Sequence, residues 1–246
     1  MKAPSPDFSN KAYLLPHINK EGVRFGLIAC VLALVPAGAL AYSLYAGMCG
    51  CVSAALGAAT LLMALLAYGV FLFFRDPERF PPDDEKAILS PADGRICLIR
   101  QRELPDALGE MEEFKGRKYW CVSVFMSVFN VHVNRMPTAG TVLKKQYVPG
   151  KFFNASLDKA SKDNERCNYL VKADCGSIYA VTQIAGLVAR RIVPQVEEGQ
   201  HLGRTERFGL IRFGSRLDVY LPEGVEPSVK IGQIMVAGET VLGRMA

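Results

Sequence analysis

Between residues 25 and 74 the chain holds no Asp, Glu, Lys, Arg or His. A helix needs about 20 apolar residues to cross roughly 30 Å of hydrocarbon, so this stretch predicts two crossings, over residues 23–42 and 52–73. The SLYAGMCGC segment between them, with Gly47 and Gly50, suits a tight turn, and Pro36 predicts a kink in the first span. Lys20 and Arg24 stand at the N-terminal edge of the pair, and Arg75 and Arg79 follow it. Cytoplasmic flanks collect Lys and Arg, so both ends are expected on the cytoplasmic side. A cleaved signal peptide fits poorly, because the apolar stretch is too long and begins too late. A buried hairpin in a soluble core also fits poorly, since soluble helices rarely run so far without a charge.

From Arg75 onward the pattern changes. Pro77, Pro81 and Pro82 break any helix and make a short stiff linker. Beyond it, apolar positions alternate over short runs punctuated by Gly, Pro and Asp-Gly, which predicts strands and turns. ILSPADGRICLIRQREL reads as strand, turn, strand, and KYWCVSVFMSVFNVHVNRMP as a dense β run. TAGTVLKKQYVPG reads as a strand pair, and FFNASLDKASKDNERCNYLV as a loop or short helix over a site. VKIGQIMVAGETVL has the glycine-punctuated short strands of a barrel-sandwich. The expected class is mainly β (α+β). A barrel-sandwich-like domain over residues 88–246 follows a tail (1–22), a transmembrane helical hairpin (23–74) and a linker (75–87).

Bulk properties then narrow the function. Seven cysteines, an odd number with no CxxC pair, argue against a disulfide framework and against a structural zinc site. A net charge of +5, without a basic stripe interleaved with aromatics, gives no case for nucleic acid. GxSxG, Walker A, HExxH and GxGxxG are all absent.

Chemistry must therefore come from single residues in unusual settings. Of His17, His132 and His201, only His132 sits inside an apolar β run, between Val131 and Val133. An imidazole there needs a partner to offset desolvation, and a structural partner in the core would serve as well as a catalytic one. Asp93, in SPADG, reads as a turn residue. Gly214 and Ser215 stand directly before a strand in FGSRLDVYLP. The pair reads either as a turn or as a peptide bond open to attack. Glycine tolerates backbone geometries that let the serine hydroxyl reach the preceding carbonyl.

FFRDPERFPP, SPADGRI, FMSVFNVHVNRMP, NERCNYLV, QIAGLVARRI and RFGLIRFGSRLDVYLP occur in this order. Together they make the chain resemble the phosphatidylserine decarboxylase proenzymes in their short, pyruvoyl-dependent form, from about residue 73 to the C-terminus. The resemblance implies a precursor that cuts itself between Gly214 and Ser215. The products would be a β chain (1–214) and an α chain (215–246) that stay together as a heterodimer, leaving room for a higher oligomer. It implies that Ser215 becomes a covalent pyruvoyl group, with no metal. That group would condense with phosphatidylserine as a Schiff base and release CO2 and phosphatidylethanolamine. His132, which opens the family's HxxxxP element ending at Pro137, is implied as a general acid or base. Asp93, in the SPxDG element, is implied in self-cleavage.

Longer members carry a second histidine where Arg135 stands here, and an arginine is no base near neutral pH. The activation of Ser215 is thus open between His132 doing both jobs and strain together with polarisation of the Gly214 carbonyl by donors. Arg135, Asn164 and Arg166 are the candidate substrate-binding residues. Phe152 and Phe153 either dip into lipid or pack in the core. The expected location is the cell membrane, with the catalytic domain on its cytoplasmic face. Two other readings compete. A non-catalytic, membrane-anchored barrel-sandwich adaptor or carrier leaves Gly214–Ser215 unexplained and shows no carrier lysine. A pyruvoyl decarboxylase of a small soluble amino acid has no need of a membrane hairpin.

Overall fold

The computed structural model describes residues 17–155, 160–187, 191–212 and 214–245. They fall into two compact units, one ending at Glu78 and one beginning at Arg79.

The first unit contains β1 (His17–Ile18), α1 (Lys20–Tyr45), α2 (Gly50–Phe73) and β2 (Arg75–Asp76). The side chain of Asn19 starts α1 by accepting the Glu21 N–H at 3.1 Å. α1 then runs through Pro36 as a single helix. The Ser43 and Ser53 hydroxyls join the two helices at 2.6 Å, and β1 pairs antiparallel with β2. Leu27, Val31, Leu34 and Val35 on α1, and Leu61 and Leu65 on α2, are all more than half exposed. Both helices are long and apolar enough to cross a membrane. So large a bare apolar surface is consistent with membrane association.

The second unit is β-rich. It contains β3 (Ala87–Leu89), β4 (Gly94–Arg102), α3 (Asp106–Gly109), β5 (Tyr119–Met126), β6 (Val133–Arg135) and β7 (Gly140–Val148). There follow α4 (Ala160–Asp163), β8 (Arg166–Ala173), β9 (Ile178–Ala185), β10 (Arg191–Pro194) and β11 (His201–Leu202). The last elements are β12 (Arg207–Arg212), β13 (Ser215–Tyr220), β14 (Ile234–Met235) and β15 (Val241–Arg244). Eight strands form one antiparallel sheet in the order β11-β7-β8-β9-β13-β5-β4-β14. Three form a second sheet, β10-β12-β6, and β15 pairs with β3. The edge strands β11 and β14 do not pair with each other, so the large sheet stays open and the domain is sandwich-like rather than a closed barrel.

Period-two alternation supplies the core. Val122, Val124 and Met126 of β5, Val181 of β9, and Leu217 and Val219 of β13 share an apolar cluster with Ile192, Phe208 and Ile211 of the smaller sheet. Each such side chain contributes about 1.5–3 kcal/mol on burial. Tyr220 and Cys121 face the other way, into a smaller cluster with Leu104, Leu108 and Phe114. β13 is therefore covered on both faces. It is also paired along both edges, from Ser215–Met126 to Tyr220–Cys121 and from Ser215–Ala185 to Tyr220–Ala180.

TAGTVLKKQYVPG forms one nine-residue strand, β7, rather than a strand pair. Its register against β8 slips between Val142 and Lys144, and this bulge interrupts the alternation as a turn would. The two strands around SPADG do form, but each pairs elsewhere: β3 with β15, and β4 with β5 and β14.

Candidate active site

Ser215 opens β13 near the centre of the large sheet and is fully buried. Its hydroxyl lies 3.9 Å from the Met126 thioether, a weak acceptor that leaves the proton easy to take. A polar line reaches this point through the apolar core. Tyr169 OH donates to Gln183 Oε1 at 2.8 Å, Gln183 Nε2 to Asn134 Oδ1 at 2.7 Å, and Asn134 Nδ2 to Met126 Sδ at 3.8 Å. Burial pushes the Tyr169 phenol well above its ordinary range, so it remains a donor. Buried amides are costly unless paired, and these two are paired with each other.

Gly214 has φ +60°, in the left-handed region. Nothing lies within 4 Å of where its Cβ would stand. Glycine is therefore needed for the backbone angle, which costs other residues about 1–2 kcal/mol. Its N–H donates to His132 Nε2 at 3.4 Å. His132 is buried, and its Nδ1 lies 2.9 Å from the Asn130 carbonyl. A carbonyl only accepts, so Nδ1 carries the proton and Nε2 keeps a lone pair toward the Gly214 amide. A turn sets this up: Asn130 Oδ1 accepts from Ser127 N–H at 2.9 Å and Ser127 Oγ at 2.8 Å. The expected β run is thereby divided into β5 and β6, with His132 directly before β6.

The carbonyl of Gly214 has its own seat. A Cβ at Gly186 would fall 2.2 Å from this oxygen and 3.0 Å from its carbon. Only bare backbone fits at residue 186, which directly follows β9.

Asp93 lies at the same end of the sheet but two strands from β13, about 10 Å at the usual strand spacing. Its carboxylate accepts from Arg79 Nη2 at 2.9 and 2.8 Å and from Ala237 N–H at 2.8 Å. These bonds tie the SPADG turn to residues 79 and 237, and neither His132 nor Ser215 is among its partners. Arg135 is buried on β6, its N–H on Pro91 O at 2.9 Å and its Nη1 on Thr205 O at 3.2 Å. The Asn164 amide is filled by the chain itself, accepting from Phe153 N–H at 3.0 Å and donating to the carbonyls of Phe153 and Ala185 at 2.8 and 2.7 Å. Arg166 forks onto Asp106 at 2.7 and 2.6 Å and donates to the carbonyls of Lys162 and Asn164. In this structure Asn164 and Arg166 hold the segment that leads into β8.

Sequence reasoning did not single out Gly186, Asn134 or Gln183, took Arg79 only as a cation flanking the membrane stretch, and passed over Arg216 and Asp218. Arg216 is buried on the sheet's opposite face and forks onto Asp218 at 2.7 Å through both Nε and Nη2. It also reaches Ala155 O at 3.1 Å and the Ser161 hydroxyl. Opposite charges two apart in SRLDVY, on a strand apolar at every other position, are a readable sign of a buried ion pair.

A family model described as phosphatidylserine decarboxylase matches residues 67–243. The chain belongs to the phosphatidylserine decarboxylase family. It is 50% identical over 236 residues to a phosphatidylserine decarboxylase proenzyme of Erythrobacter litoralis, covering 94% of this chain and 88% of that protein. It is 59% identical over 172 residues to the proenzyme of Ruegeria pomeroyi, covering 70% and 77%. A third proenzyme, of Novosphingobium aromaticivorans, is 47% identical over 94% of this chain and 87% of its own length. The matched region of this decarboxylase family member contains every residue of the site described above.

Proposed function

We propose that this family member cuts its own chain between Gly214 and Ser215, and that the two-chain product decarboxylates phosphatidylserine in the membrane. The observation that carries this reading is the setting of the two peptide units that flank Gly214. Ser215 is buried at the head of a central strand, His132 Nε2 lies at the Gly214 N–H, and the Gly214 carbonyl sits against Gly186. The relatives' description as proenzymes supports a processed chain.

In self-cleavage, the Ser215 Oγ bonds to the Gly214 carbonyl carbon and the Gly214–Ser215 C–N bond breaks. The hydroxyl proton ends on the freed amine, and an ester replaces the amide. His132, whose Nε2 lone pair accepts the Gly214 N–H one peptide bond before the scissile one, is the base we assign to move that proton once it releases this N–H. Gly214 accommodates the bend that the attack requires, and the close seat at Gly186 orients its carbonyl. Elimination of the Gly214 carboxylate, followed by hydrolytic loss of ammonia, converts residue 215 to pyruvoyl.

The fold fits such a group. Residue 215 is the end of a strand paired along both edges, so Met126 and Ala185 would hold it in place after the cut. When formed, the group supplies a carbonyl for the substrate amine and an electron sink for the carbanion left by CO2. His132 is fixed as one tautomer by Asn130 O, and it holds or returns a proton at Nε2 during turnover. Asp93 supports the site indirectly by bracing the SPADG turn, and Arg135, Asn164 and Arg166 position the segments around it. The α and β chains remain one heterodimer. Lys20, Arg24, Arg75 and Arg79 favour placing the catalytic unit on the cytoplasmic face of the cell membrane.

Intact mass spectrometry tests the first half. The expected result is two chains divided after Gly214, the smaller one lighter than a serine-started peptide by the loss of its amino group. A single uncut chain from native membranes would overturn the reading. Release of CO2 from phosphatidylserine but not from free serine tests the second half.

A further inference from the structure

The end of the large sheet that carries Ser215 is ringed by exposed apolar side chains. The strands there run β8-β9-β13-β5, and the segments beside them at that end are residues 151–155, 186–187 and 127–130. These segments present Phe152, Phe153, Leu187, Val128 and Phe129, from 37% to 82% exposed, with Phe129 the most. Four strands at the usual spacing make the ring about 15 Å wide. A single exposed hydrophobic residue is ordinary. Five on three separate segments around one strand end form a patch.

The opposite end of the same strands shows the contrast. Its connections, residues 113–118, 174–177 and 222–224, carry Glu113, Lys115, Arg117, Lys118, Asp174 and Glu223. The two ends of one sheet thus face different surroundings.

Charge indicates which surroundings the apolar end meets. Lys151 Nζ lies 5.7 Å from the centre of the Phe153 ring. Arg191 and Arg212 face each other across β10 and β12, and Arg212 lies two residues before Gly214. Apolar tips bordered by cations match the headgroup–acyl boundary of a bilayer containing anionic lipid.

We propose that this ring seats the mouth of the catalytic domain on the bilayer. Phe129, Leu187 and Phe153 enter the acyl boundary, and Lys151 and Arg191 meet anionic headgroups. The proposal rests on the reading that the substrate is a membrane lipid and explains how that lipid is reached. A ring at this depth brings residue 215 to headgroup level, so the acyl chains of the substrate stay in the bilayer. The apolar helices already tether the chain, so the ring acts on the pose of the domain rather than on bulk partitioning.

The test uses the full chain in vesicles of phosphatidylcholine and phosphatidylserine. Trp120 is the only tryptophan, so Trp120→Phe with Phe129→Trp places one fluorophore in the ring, and Trp120→Phe with Lys115→Trp places one at the far end. Lipid brominated high on the acyl chain is expected to quench residue 129 at least twofold and to leave residue 115 unquenched. A triple variant, Phe129→Ser, Phe153→Ser and Leu187→Ser, is expected to raise the apparent KM for vesicle phosphatidylserine about tenfold, with complete self-cleavage reporting an intact fold. Equal quenching at both positions, or none at residue 129, would overturn the proposal. So would cross-linking of residue 129 to a second copy in place of quenching. Wild-type protein that releases no CO2 from phosphatidylserine would overturn the functional reading alone, because quenching is read without turnover.

Discussion

Gly214 and Gly186 act on the same carbonyl from two sides, one by its backbone angle and one by the side chain it lacks. Gly186→Ala is expected to slow self-cleavage at least tenfold, because a methyl group 2.2 Å from the Gly214 oxygen must displace it. A cleavage time course with and without hydroxylamine, which intercepts the ester, separates a block in the attack from a block in the later elimination. Cleavage at the wild-type rate would remove Gly186 from the mechanism. His132→Ala is expected to slow self-cleavage by about 10²–10⁴, the usual contribution of a positioned acid or base, and the same cleavage time course measures it. Ser215 and His132 stood out because each is locally unusual, a Gly-Ser pair ahead of a strand and an imidazole in an apolar run, but their proposed roles came from the family resemblance. Gly186, Asn134 and Gln183 did not stand out, because their roles arise only where distant strands meet, and a glycine or an amide in a β run has no distinctive local pattern.

The element that decides the site is β13. Its outward face holds the buried Arg216–Asp218 pair, 1% and 0% exposed. Asp218→Asn leaves the buried Arg216 charge without its carboxylate, at an expected cost of about 3–5 kcal/mol, and Arg216→Met should cost less, because Arg102 Nη1 lies 3.8 Å from Asp218 Oδ2. Replacing both by apolar residues should recover most of that loss. Denaturant midpoints of the uncut Ser215→Ala protein measure this without the complication of two chains. Single variants as stable as the parent would show that water reaches the pair. Strand character was readable here and in β5 and β9. It was missed at β8, Arg166–Ala173, most of which lies in the polar stretch read as a loop or short helix. It misled at β7, where the bulge at residue 143 imitates a turn, and across residues 119–135, where the Ser127–Asn130 turn splits what looks like one run. Bulges and side-chain turns are local departures from periodicity, and periodicity is what sequence reading measures.

At the scale of the whole molecule, the division between a charge-free stretch and a soluble β-rich part was plain from composition. The pairing order of eight strands was not, because nothing in a strand's own pattern names its partner. That order has two consequences. The first is the expectation that a chain cut before β13 would hold together. Each edge of β13 is paired at six positions, with β5 and with β9, so size exclusion in mild detergent is expected to recover α and β chains together and to separate them only in denaturant. The second is acid sensitivity through the clamp beside β8. Burial, the largest influence on Asp106, raises its pKa, but hydrogen bonds from Arg166 and Asn168 and the charge of Arg166 outweigh it and hold the carboxyl below its usual range. A carboxyl depressed in the folded state contributes stability above its unfolded value, about 3.9, and loses that contribution as pH falls through the folded value. Unfolding free energy of the uncut Ser215→Ala protein should therefore fall below about pH 4. Adding Arg166→Met should lower stability at neutral pH and flatten that acid limb. An unchanged acid limb would assign the acid sensitivity to other carboxylates and leave the Arg166–Asp106 fork a purely geometric brace.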